Sequence, residues 1–261
     1  MRIVGFMVAM ALTAGCMAAD APATQTSGPL HPDSSVDQVL TALRDVGANL
    51  RDFTADVTMA ETDNITGDST KRRGTVWYQL KSPGDGRIRV DFTVKQVGEM
   101  VFRQERTEYV LDDRWLIERD YKRKLEVKRE VLKPGQKINL LKLGEGPFPL
   151  PIGQDPAEVR KQFDVEKIAA AKEDPANTIH LKLTPRKENE QFARRFKTVD
   201  VWVALANPFP RRIETIDPKQ KTIRTTDLSP KAVNSGLRDE QFKLEPINEK
   251  EWQSREEPFS P

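Results

Sequence analysis

GTVWYQLKSPGDGRIRVDFTV, residues 74–94, decides the fold. Val76, Tyr78 and Leu80 recur at every second position, and Ile88, Val90, Phe92 and Val94 do the same after the turn PGDG at 83–86. A period of two is that of a strand with one face buried. Proline and glycine between two such runs mark a reversal of the chain. The stretch therefore reads as an antiparallel hairpin with Arg87, Arg89 and Asp91 on its other face.

Outward from it the pattern repeats. RDFTADVTMAE (51–61) alternates Phe53, Ala55, Val57 and Met59 with mostly polar residues. RTEYVLDDRWLIERD (106–120) reads as strand, turn and strand, with Asp112 and Asp113 making the turn, and KLEVKREVL (124–132) adds another strand. FDVEKIAAA (163–171), TIHLKLTP (178–185), KTVDVWVAL (197–205) and a hairpin around Pro218 continue the series. A last strand and short tail are expected within 242–253. Locally connected strands separated by turns predict an antiparallel meander.

Helical spacing is clearest at 34–50, where Val36, Val39, Leu40, Leu43, Val46 and Leu50 form one apolar stripe. Ser34 with Asp37 suggests its N-cap. Asp155 and Pro156 open a short helix over 155–163. PGQKINLLKLGEGPFPLPIG (134–153) is apolar, but its prolines exclude regular helix and disfavour a central strand. The expected fold is mainly β with helices: an incomplete, strongly curved antiparallel β-barrel of about ten or eleven strands. An N-terminal helix and short helices or loops would cover it.

Composition narrows function. Forty-two Lys and Arg balance forty Asp and Glu, a net charge of +2, so no nucleic-acid partner is expected. KRR (71–73) and YKRKLEVKR (121–129) read as solvated strand faces. The one cysteine, Cys16, and two histidines, His31 and His180, leave no basis for a disulfide or a metal site. No nucleotide-loop, zinc-protease or serine-hydrolase motif is present, so neither a cofactor nor catalysis is expected. A glycosidase pair could hide among the many acids, which keeps a carbohydrate hydrolase as a weaker alternative.

MRIVGFMVAMALTAGCMAAD (1–20) has a basic start, an apolar core and a small-residue end, the plan of an export signal. Two processing readings stay open. Ala14-Gly15-Cys16 fits a lipoprotein cleavage box in which Cys16 is acylated and anchors the chain, whereas an ordinary cut near residues 18–23 would discard it. The expected organisation is a signal at 1–19, cut before Cys16 in the lipoprotein form. A flexible Pro/Ser/Thr linker at 20–33 and one domain at 34–261 with a short C-terminal tail follow.

These blocks, in order, resemble the LolA/LolB family of bacterial lipoprotein-sorting proteins from about residue 35 to 245. The blocks are NLRDFTADV (49–57), the opening hairpin, YVLDDRWLIERDYKRKLEVKRE (109–130), IHLKLTPR (179–186), PRRIETIDPKQKTIRTTDLS (210–229) and NSGLRDEQF (234–242). The resemblance implies a hydrophobic cavity that binds acyl chains of lipoproteins, or other lipid, in the periplasm during transport to the outer membrane. Acylated lipoproteins, an inner-membrane ABC transporter and an outer-membrane receptor would be the partners, and the protein a monomer. An envelope sensor or scaffold on the same fold is the alternative. Expected cavity or lid residues are Val76, Tyr78, Leu80, Ile88, Val90 and Phe92 on the hairpin, with Leu140, Leu141, Phe148 and Leu150 from the proline-rich segment. Ser82 stands where the family's carriers have a lid-holding arginine, and Lys81 beside it lacks the planar donor fork.

Overall fold

The structure, a computed structural model, describes residues 29–137, 140–141 and 152–259. Helix α1 (Val36–Asn49) begins the fold. Six strands follow as a meander: β1 (Asp52–Asp63), β2 (Ser69–Ser82), β3 (Asp85–Val97), β4 (Arg103–Asp112), β5 (Trp115–Asp120) and β6 (Leu125–Glu130). Helix α2 (Pro156–Gln162) leads into β7 (Phe163–Ile168) and β8 (Thr178–Pro185). After α3 (Glu190–Ala193) come β9 (Thr198–Ala204), β10 (Pro210–Ile216), β11 (Thr222–Val233) and, after a 3-10 turn, β12 (Gln253–Glu257).

The strands form one 12-stranded sheet in the order β12-β6-β5-β4-β3-β2-β1-β11-β10-β9-β8-β7. This corrects the barrel expectation. The edges of the sheet are β12 and β7, which do not pair with each other, so the sheet is open. Nor is it wholly antiparallel: β12 lies parallel to β6, in register from Gln253–Leu125 to Glu257–Arg129. The physical reason is that period-two alternation reports faces, not closure. Closure needs pairing between edge strands, and the edge of β6 is already occupied by the returning C-terminal chain. The rest is antiparallel, and the two meanders join through β1 and β11.

Alternation places Phe53, Ala55 and Val57 of β1, Val76 and Tyr78 of β2, and Val199, Val201 and Val203 of β9 in one buried core. Val39, Leu40, Ala42 and Leu43 of α1 belong to it. The N-cap of α1 is Ser35, one residue later than expected. Its hydroxyl accepts from Gln38 N–H and the Gln38 side chain returns the bond, a reciprocal box that Ser34 and Asp37 do not form. Ser34 instead accepts from His31 N–H at 2.9 Å.

Two glycines hold close approaches. A Cβ on Gly47 of α1 would lie 2.2 Å from Gly153 Cα, where Gly153 N–H donates to Leu43 O at 3.1 Å. That contact ties the end of the proline-rich segment to the helix. A Cβ on Gly74 would lie 1.9 Å from Asp91 O, at an irregularity in the β2–β3 ladder.

Tyr78 illustrates what this core does to a polar tip. Burial pushes its phenol up to about 12 from 10. Below pH 10 both the folded and unfolded states keep the proton, so the group adds no pH dependence to stability. Between 10 and 12 only the unfolded chain releases it, and stability falls as pH rises, by up to roughly 2–3 kcal/mol. Denaturant midpoints of the wild type and Tyr78→Phe, measured from pH 9 to 12, should diverge in favour of the variant.

Candidate functional site

On the α1 side of the sheet the core does not run the full length of the strands. Along β1, Phe53 and Val57 give way to Met59 and Glu61, and along β2, Tyr78 and Val76 give way to Arg72. Beyond that boundary lies a recess of about 560 Å³. Ile88, Val90 and Phe92 of β3, with Leu111 of β4 and Leu116 of β5, form an apolar wall, and Ile213 and Thr226 face it from β10 and β11. Phe92 meets Tyr109 edge-on at 6.2 Å, and burial, then Glu118, pushes the Tyr109 phenol up. Beneath the recess is a void of about 10 Å³ bordered by Phe53, Val57, Val76 and Leu228, room for about one water. The interior under α1 is thus filled, and the open volume is at the far end.

The rim is charged: Glu61, Arg72, Glu118, Arg129, Arg195 and Arg224. Glu61 accepts from Arg224 Nε at 2.8 Å. Glu118 accepts from Arg129 Nη1 at 3.0 Å, and Arg129 Nε also donates to Glu257 of β12 at 2.6 Å. Two carboxylates therefore border the recess, but each is ion-paired to its own arginine, not presented as the free facing pair that sugar hydrolysis uses. Among the described residues, no group of three or more His, Cys, Asp or Glu is arranged to hold a metal ion. Among them also, no helix is long and apolar enough to cross a membrane.

The expected site residues divide. Ile88, Val90 and Phe92 line the recess. Val76 borders the small void below it. Tyr78 is deeper, stacked on Phe53 at 5.4 Å, and Leu80 is half-buried against the core. Leu140 and Leu141 are buried in that same core. Phe148, Leu150 and Cys16 lie outside the described residues. At Ser82, where the resemblance would put a lid-holding arginine, Oγ accepts from Lys137 Nζ at 3.0 Å, while Lys81 pairs with Asp112 at 3.0 Å. Tyr109, Leu111, Leu116 and Ile213 were not expected in the site. Tyr109 and Leu111 carried a signal, since they alternate on one strand, but Leu116 lies between Arg114 and Glu118 and Ile213 between Arg211 and Thr215 on their faces, so no apolar alternation marked them.

KRR and YKRKLEVKR are only partly solvated faces. Arg72 and Arg129 share the inward parity of their strands and reach the recess rim. Parity outweighs charge here because a long arginine buries its stem and keeps its head at the opening.

The opposite face of β2 to β6 is covered by the C-terminal chain. Arg87 holds Asp239 and Gln79, Arg89 Nη1 donates to Gln241 O at 2.9 Å, and Arg119 Nη1 donates to Glu245 O at 2.6 Å. Trp252 meets Tyr121 edge-on at 5.2 Å before the chain enters β12. On β8 and β9, His180 is paired with Asp200 at 2.8 Å and stacked on Trp202, whose indole donates to Asp174.

No family model matches the chain, and no curated protein matches it. Several solved structures are similar at low identity. An uncharacterized conserved protein from Thermus thermophilus has 14% identity and a TM-score of 0.46, with 84% of this chain and 98% of that chain covered. The Pseudomonas aeruginosa MucA/MucB complex has a chain at 12% identity and a TM-score of 0.42, with 80% and 60% covered. A LolA superfamily protein from Nitrosomonas europaea has 14% identity and a TM-score of 0.30, with 81% and 99% covered.

Proposed function

We propose that this protein binds the apolar chain of a lipid, or of a lipid-modified protein, in the recess beyond the core, and performs no chemistry on it. The observation that carries the reading is the recess itself. Its volume of about 560 Å³ falls within the range of roughly 300–1,000 Å³ usual for small-molecule sites. Its wall is aliphatic and aromatic, and each methylene buried there contributes about 0.8 kcal/mol. The family resemblance of the sequence blocks points the same way, toward lipoprotein carriage in the periplasm. The signal-like start of the chain supports export, whether Cys16 anchors the mature protein or is removed.

The test is a titration with a neutral monoacylglycerol bearing a photoactivatable palmitoyl chain. Wild type should bind it saturably. Leu116→Trp, which fills the recess from a half-buried position, should weaken binding about tenfold or more, the effect of excluding two methylenes. Equal binding by both proteins would place the lipid elsewhere and defeat the proposal.

A further inference from the structure

The apolar wall explains a chain, but it does not explain the rim. We infer that the recess takes an anionic amphiphile, a single acyl chain bearing a phosphate or carboxylate headgroup, with Arg72 as the headgroup ligand. The inference rests on the recess being a lipid site.

Of the rim's charges, Glu61 is matched by Arg224, and Glu118 by Arg129, which Glu257 also contacts. Arg72 differs. It stands on β2 opposite Met59 of β1 and Lys95 of β3, and Lys95 is itself bound to Glu105 at 2.9 Å. Among the described residues, no carboxylate lies within ion-pairing distance of Arg72. Arg72 as a residue is half-buried and lines the recess, on the same side as Val76 and Tyr78. A planar fork of donors at the opening, with no carboxylate among the described residues in ion-pairing distance, matches the oxygens of a phosphate or carboxylate. The headgroup would sit at Arg72, and the chain would run along Phe92, Val90 and Ile88 toward the filled core.

The neutral monoacylglycerol already described is compared with lysophosphatidylglycerol of the same chain length and with inorganic phosphate. Wild type should bind the anionic lipid about tenfold tighter than the neutral one, the scale of one charge-assisted hydrogen-bonding pair. Arg72→Gln should abolish that preference, bringing the anionic lipid to the neutral lipid's affinity, and a urea midpoint close to wild type should show that the variant is folded. Equal affinity of wild type for both lipids would overturn the headgroup assignment while the recess reading stands. So would inorganic phosphate competing as strongly as the lipid, since the site would then be one for a free anion. Binding of neither lipid would overturn both.

Discussion

Phe53→Ala should lower the unfolding free energy by about 3–5 kcal/mol, the usual scale for removing a buried phenylalanine. Phe53 is 1% exposed and sits where the two halves of the fold meet. Its ring stacks on Tyr78 of β2 at 5.4 Å and meets Phe209, just before β10, edge-on at 5.3 Å. The lost term therefore includes two aromatic contacts as well as area. Its strand, β1, joins the meander of β2 to β6 to that of β7 to β11, so few neighbours can move inward to fill the gap. The void of about 10 Å³ already beside the ring would become continuous with the new cavity. Urea unfolding followed by tryptophan fluorescence measures the loss. A change below about 1 kcal/mol would mean that the site collapses freely, against the close packing usual in protein interiors.

On the opposite face, Glu108→Ala should cost a similar amount, about 3–5 kcal/mol, for an electrostatic reason. Glu108 is 1% exposed. Its Oε1 accepts from Arg89 Nη2 at 2.5 Å and from Arg106 Nη2 at 2.9 Å, and its Oε2 accepts from the Tyr121 hydroxyl. Asp91 also holds Arg106, so that cation keeps a partner. Arg89 does not fare as well, because its remaining acid, Asp91, is at the 4.0 Å limit of ion pairing. Its Nε is buried and already lacks a partner. Alanine at 108 would leave that guanidinium nearly uncompensated beneath the C-terminal chain, whose Gln241 carbonyl it holds. Replacing both partners, as Glu108→Leu with Arg89→Met, should cost clearly less than Glu108→Ala alone. Limited proteolysis gives a second readout, since the single variant should be cut sooner within 237–252.

How much of this was legible can be judged residue by residue. The alternation from Val76 to Phe92 grouped the apolar residues of the β2–β3 hairpin on one face, because side-chain direction on a strand is local, and that face is the buried one. Turns were legible for the same reason. Asp113 and Gln220 sit at positive φ in hairpins expected from sequence. The partner of β12 was not legible. Its position depends on pairs such as Arg87 with Asp239 and Arg129 with Glu257, which join residues far apart in the chain. That same long return occupies the edge of β6, so the expected half-closed barrel is an open sheet. The core role of Leu140 and Leu141 comes from a segment without periodicity, anchored through the Gly47–Gly153 contact that no pattern announces. Arg72 was misjudged by charge although its parity placed it on the apolar face.

The most direct measurement of the central claim is the position of the bound acyl chain, read as photolabelled peptides from the palmitoyl probe on the full chain. Labels are expected within β3, β4, β5 and β10, at residues such as Phe92, Leu111, Leu116 and Ile213, and should fall about tenfold or more in Leu116→Trp. Labels confined to 237–252 on the opposite face, or no specific labelling, would contradict the central claim.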